Sequence, residues 1–183
     1  SEHAEQREGQ AWNRSTGRRI AACVPMHTFG IPLRIVEIVA ICDEYGISVV
    51  EDAAESLGSW VGDRHTGTFG RLATLSFNGT KVITTGGGGM IITDDEALAR
   101  RAKHLTTTAK IPHPYEFVHD EVGYNYRLPN LNAALGCAQM ERLPTMLEIK
   151  AEVAARYREF FAGTGVCFVE PLPGTMANYW LNA

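Results

Sequence analysis

Apolar residues in this chain fall into short unbroken runs separated by stretches with helical spacing. That alternation is the pattern of buried parallel strands joined by crossover helices. The run Ile20-Ala21-Ala22-Cys23-Val24-Pro25-Met26 predicts a buried strand. After a loop at His27-Thr28-Phe29-Gly30, Pro32 suits the first turn of a helix. Leu33, Val36, Ile38, Val39 and Ile41 then recur at helical spacing as far as Tyr45, with Gly46 placed as the C-cap. Residues 47–50 read as the next strand, so this part of the chain is one βαβ unit with a right-handed crossover.

Residues 58–70 read as a glycine-rich loop, 72–77 as a third strand and 90–93 as a fourth. Thr93 or Asp94 is expected to cap a helix through about Leu105, with Asp95 and Glu96 at its positive end. Residues 106–127, rich in His, Tyr and Pro, read as irregular. A helix from Pro129 carries Leu131, Ala134, Leu135, Ala138 and Leu143 on one face, and another spans about 146–161. The expected organisation is an irregular segment over 1–19, a core over 20–145, and over 146–183 a helix and the start of a smaller domain. The aperiodic opening, and a close at 177–183 that reads as the start of a strand, are expected of a piece of something longer.

Composition changes this picture little. At 183 residues, 45% hydrophobic and 21% charged, with net charge −4, the chain is expected to be a soluble cytoplasmic globular protein. No basic cluster gives an electrostatic reason to expect nucleic acid or an anionic membrane as partner. Cys23, Cys42, Cys137 and Cys167 are far apart and show no zinc spacing, so they read as reduced thiols. His104, His113 and His119 also lack ligand spacing, and no metal is expected.

The candidate chemistry lies between residues 51 and 89. Glu51 and Asp52 close the second strand, at the edge of a parallel sheet where ligands sit. Ser76-Phe77-Asn78-Gly79-Thr80-Lys81 follows the third strand and leads into Gly86-Gly87-Gly88-Gly89. Pyridoxal phosphate (PLP) needs a lysine for its Schiff base, a carboxylate for its ring nitrogen and neutral donors for its phosphate. Lys81, Asp52 and Ser76 supply these in part. The glycine run fits neither the P-loop nor the GxGxxG template, and reads as a bend that brings backbone close to the lysine turn. His27, at a strand's carboxyl end, suits either a cofactor contact or a structural role.

In this order, EDAAES, HTGTFG, SFNGTK, TTGGGGMI and GYNYRLPN resemble the DegT-type sugar-nucleotide aminotransferases, which have the fold type I aspartate-aminotransferase architecture. The resemblance covers about residues 20–150. It implies an α/β fold, a three-layer α/β/α large domain with a mostly parallel sheet that binds PLP. Lys81 would be the Schiff-base lysine and Asp52 the partner of the pyridine nitrogen. Glu55 falls where many relatives carry Gln or His against the ring or its O3′, and Ser76 on the cofactor phosphate. Asn125 matches an asparagine that reaches the phosphate of the neighbouring subunit, which implies a homodimer with shared sites. Arg127 and Tyr124 are candidates for contacts to the sugar nucleotide, whereas Tyr115, Trp60 and Trp180 read as packing residues. The implied reaction moves an amino group, with glutamate as donor, onto a nucleotide-linked keto-deoxysugar destined for surface glycans. Sugar dehydratases on this scaffold carry histidine in place of the lysine, and Lys81 argues against that branch. The other alternative is a non-catalytic or incomplete fragment, because the family's N-terminal phosphate loop and C-terminal small domain are not visible.

Overall fold

The structure, a computed structural model, describes residues 2–183. The opening residues, aperiodic in sequence, form a hairpin. Strand β1 (Ala4–Arg7) pairs antiparallel with β2 (Gln10–Asn13). The two-residue connection, Glu8 and Gly9, has φ of 50° and 74°, which matches the twist of a tight hairpin. A non-glycine residue at the first position hides that turn from sequence reading.

The predicted βαβ unit is present as β3 (Ala22–Cys23), α1 (Ile35–Glu44) and β4 (Ser48–Asp52). Pro25 has no amide to donate, and the ladder of the first strand survives beyond Cys23 only as a parallel bridge from Met26 to Asp52. Helix α1 closes as expected: Gly46 has φ +63°, and the Ile47 amide donates to Cys42 O at 2.8 Å. A side chain at Gly46 would also strike Gly9 O at 2.2 Å, so the same glycine lets the hairpin dock on the helix end. The buried face of α1 coincides only in part with the apolar spacing of the sequence. Ile35 and Cys42 enter the core with Val49, and Cys23, Ile38, Val39, Val61 and Phe69 pack around them. Val36 and Ile41 face outward. An almost wholly apolar helix leaves its period unable to choose a face. All four cysteines are free, and burial with Cys23 alongside pushes the Cys42 thiol up to about 11.

Beyond β4, residues expected as loop form two short strands, β5 (Trp60–Val61) and β6 (Arg64–His65). Strand β7 (Leu72–Ser76) and strand β8 (Gly89–Ile92) complete the central sheet in the order β3-β4-β7-β8, with β8 antiparallel and the rest parallel. Helix α2 (Glu96–Thr106) is capped by Asp95, whose carboxylate accepts from the Ala97 and Leu98 amides. Thr93, one of the expected caps, instead accepts from the Asp95 amide. Residues 106–127 fold back as a ribbon with bridges Thr107 to Asn125 and Lys110 to His119. Helices α3 (Asn130–Glu141) and α4 (Leu143–Phe160) follow. The apolar face read on α3 is open: Leu131 is 86% and Leu135 42% exposed. The closing strand is β9 (Thr175–Met176), earlier than expected, and it pairs with β5. Among the described residues no helix is long and apolar enough to cross a membrane.

Alternation along β4 puts Val49 and Glu51 on one face and Val50 and Asp52 on the other. Glu51 is fully buried and accepts four hydrogen bonds: from His27 Nε2 at 3.0 Å, Gly67 N at 2.7 Å, and Phe69 N and Gly70 N at 2.6 Å each. Burial pushes its carboxyl up, and the bonds from His27 and the three amides outweigh that, holding it below its ordinary value of 4.5. Its contribution to stability is therefore complete above about 4.5 and is lost as pH falls through the depressed folded value. Glu51→Gln presents an amide donor to these donors and should cost about 2–4 kcal/mol in urea unfolding at neutral pH. In an acid titration of stability, the variant should also lose the part of the slope that Glu51 supplies.

Candidate active site

Strands β4 and β7 run parallel and finish on one edge, with Asp52 level with Thr74. A parallel strand rises about 3.3 Å per residue, so Ser76 stands about 7 Å further along that edge. Asp52 is half-buried; its Oδ1 accepts from the Ala54 amide at 3.1 Å, and its Oδ2 takes no hydrogen bond among the described residues. The chain then leaves β7 through a turn in which the Lys81 amide donates to Asn78 O at 3.0 Å. Val82 and Ile83, both buried, anchor the far side of Lys81.

The return path is fastened twice, by Thr85 N to Phe77 O at 3.0 Å and by Phe77 N to Gly88 O at 2.9 Å. Helix α3 grips it through Asn132 Nδ2, which donates to Thr85 O at 2.6 Å. The glycine run makes the predicted bend: a side chain at Gly88 would meet both Leu128 and Thr85 at 2.8 Å. Lys81 is thus held from both sides and its side chain is only 14% exposed, unusual for a lysine. Its Nζ lies 3.5 Å from Glu55 Oε1 and 3.9 Å from the centre of the Trp180 ring. Glu55 cannot swing freely, because its Oε2 accepts from the Phe29 amide at 2.7 Å.

A mostly buried amine paired to one carboxylate, beside a strand-end carboxylate with an open oxygen and a strand-end hydroxyl, is a donor set that fits PLP. Residues 10–182 match the DegT/DnrJ/EryC1/StrS aminotransferase family. The chain belongs to this family. It is 40% identical over 162 residues to EpsN of Bacillus subtilis, named as a pyridoxal phosphate-dependent aminotransferase, covering 88% of this chain and 42% of that protein. It is 34% identical over 170 residues to the GDP-perosamine synthase of Vibrio cholerae, covering 93% of this chain and 46% of the synthase. Among solved structures, the aminotransferase TlmJ of Streptoalloteichus hindustanus superposes with a TM-score of 0.84 at 33% identity, over 90% of this chain and 45% of TlmJ. The chain spans less than half the length of the curated relatives it matches.

Within this DegT-family chain the predicted site residues divide into two groups. Lys81, Glu55, Asp52 and Ser76 gather around the ends of β4 and β7. Asn125, Arg127 and Tyr124 lie on the exposed ribbon before α3, where Arg127 lines a cavity with Thr74, Leu75 and Gly87 to Gly89. There Asn125 Oδ1 accepts from Arg127 Nε at 2.8 Å, and Tyr124 stacks on Tyr126 with centroids 5.2 Å apart. His27 belongs to neither group. It is fully buried, its Nδ1 accepts from the Leu33 amide at 3.3 Å and its Nε2 reaches Glu51, so both ring nitrogens serve the scaffold. Among the described residues His104, Asp120 and Glu121 bring potential metal ligands together, across a separation in sequence that spacing cannot show. Arg101 already takes Glu121, and His104 bonds Asp120 at 2.7 Å, so this exposed group is an ion-pair network.

Sequence reading missed the closing segment as part of the site. Asn178 is almost fully buried; its Nδ2 donates to Glu55 O at 2.7 Å and Leu57 O at 2.9 Å. The visible signal was only an asparagine next to two aromatic residues. Gly30 makes room for it: a side chain there would fall 1.7 Å from Asn178 Oδ1, at φ +81°. Gly30→Ala should therefore cost about 2–4 kcal/mol in urea unfolding. Gly62→Ala, at φ +59° with nothing within 4 Å, should cost only the backbone strain of about 1–2 kcal/mol.

Proposed function

We propose that this chain carries the cofactor lysine of a PLP-dependent sugar aminotransferase, transferring an amino group from glutamate to a nucleotide-linked keto-deoxysugar in a cytoplasmic homodimer. The observation that carries the reading is the Lys81 amine: sheltered, 3.5 Å from Glu55, and one turn past a strand whose parallel neighbour ends in Asp52. The names of the relatives, EpsN and GDP-perosamine synthase, support the cofactor and the nucleotide-sugar class respectively.

The residues divide the work by environment. Lys81 would hold the cofactor covalently and Asp52, through its open oxygen, its ring nitrogen; Ser76 would donate to its phosphate. When bound, PLP supplies the electron sink that makes loss of a proton from the donor's α-carbon feasible. Lys81 Nζ, sheltered from bulk water, would be the base that carries that proton. Glu55 orients the amine and is itself kept in line by the Phe29 amide. Asn125, exposed, would reach the cofactor phosphate of a second copy, and Arg127 and Tyr124 would contact the sugar nucleotide. Lys81 also keeps the reading away from the dehydratases that carry histidine there.

The test is borohydride reduction of the chain mixed with PLP, followed by peptide mass mapping of its four lysines. A pyridoxyl adduct confined to Lys81, and absent from that peptide in Lys81→Ala, is the expected result. Adducts spread over Lys103, Lys110 and Lys150, or none, would mean that this chain does not build the site alone. The incomplete-fragment reading, favoured by a span below half of the relatives' length, would then stand.

A further inference from the structure

Trp180 reaches across 100 positions of sequence to the lysine turn, where its indole Nε1–H donates to Thr80 O at 2.6 Å. That oxygen belongs to the peptide bond leading into Lys81. The face of the same ring covers Lys81 Nζ, 3.9 Å from the ring centre, while Glu55 Oε1 stands 3.5 Å from the same nitrogen. Trp180 is in turn held by its backbone: its amide donates to Asn178 Oδ1 at 2.8 Å, and its carbonyl accepts from Lys150 Nζ at 3.4 Å. The other end of the Asn178 side chain is on Glu55 O. One short strap thus carries both the ring that covers the lysine and the amide that ties down the Glu55 loop.

We propose that Trp180 is a positioning residue for Lys81. Its N–H fixes the carbonyl just before the lysine, and its ring face keeps the amine against Glu55 and closes one flank to solvent. A cation over an indole is attracted by the electron-rich face, and the attraction grows when the cation is partly desolvated, as here. The packing role expected of Trp180 from sequence is therefore too small for what it contacts. The significance of this role rests on Lys81 being the cofactor lysine, but its test is independent of the cofactor.

The whole chain is methylated with formaldehyde and cyanoborohydride, and each lysine is quantified by peptide mass. Loss of the ring in Trp180→Ala should raise the Lys81 rate about fivefold relative to the parent, the scale of one sheltered cation–π contact. Lys103 and Lys110, which have no contact with Trp180 among the described residues, serve as unchanged references. Trp180→Phe keeps a ring face and loses the indole donor, so it should return Lys81 to within about twofold of the parent. Both variants lose the bond to Thr80 and should lower the melting temperature, whereas only the alanine variant should unmask Lys81. Equal Lys81 labelling in the parent and Trp180→Ala, or labelling of Trp180→Phe as high as that of Trp180→Ala, would overturn the proposal. No PLP enters this assay. A parent chain that fails to form the pyridoxyl adduct would remove the cofactor assignment and leave the methylation result readable.

Discussion

The buried carboxylate of Glu51 is the contact on which the rest of the site is built. A charged group with no exposed surface is tolerable only when its hydrogen bonds replace water. Glu51 meets that demand with His27 on one side and the amides of Gly67, Phe69 and Gly70 on the other. The consequence is geometric as much as energetic. Those bonds tie the end of β4 to the loop after β3 and to the turn before β7, so the relative positions of three chain segments are set by one side chain. Asp52 is the next residue, and the residues that follow carry the chain to Glu55.

Three carboxylates within five positions thus take three different roles, and environment alone separates them. Strand alternation turns Glu51 inward and Asp52 to the opposite face. Asp52 sits where the ladder ends, so its own turn satisfies one oxygen and leaves the other open. Glu55 comes after the strand, where the Phe29 amide fixes one oxygen and Lys81 faces the other. A sealed acid, an open one and a paired one follow from where a five-residue strand stops.

Much of this was legible in the sequence for identifiable reasons. Residues 47–50 and 72–77 are short, mainly apolar runs bounded by turn residues, and both fall in strands that end at the site. Gly46 was readable as a cap because a left-handed residue after a helix favours glycine. EDAAES and SFNGTK marked a strand-end acid and a lysine turn after a later strand, and the pairing of β4 with β7 brings the two strand ends side by side. What escaped notice was set by contacts remote in sequence. Nothing near Asn178 or Trp180 announces partners at Glu55 and Thr80, more than a hundred and exactly one hundred positions away respectively. On α1 and α3 the period marks an apolar face without marking what covers it, and Val36 and Leu131, both in the apolar pattern, are exposed in the folded chain.

The closing strap shows why a lysine can be sheltered without being lost to the core. Burial by apolar side chains alone would strip the amine of its partners. Here the cover is an indole face on one side and a carboxylate on another, both of which tolerate a cation while excluding most of the water. Both are also fastened elsewhere, Trp180 through Thr80 and Asn178, Glu55 through Phe29. The amine is then the least constrained element among fixed neighbours. On the proposed reading of Lys81 as the cofactor lysine, that combination would suit it: surroundings that do not move, and contacts weak enough to leave.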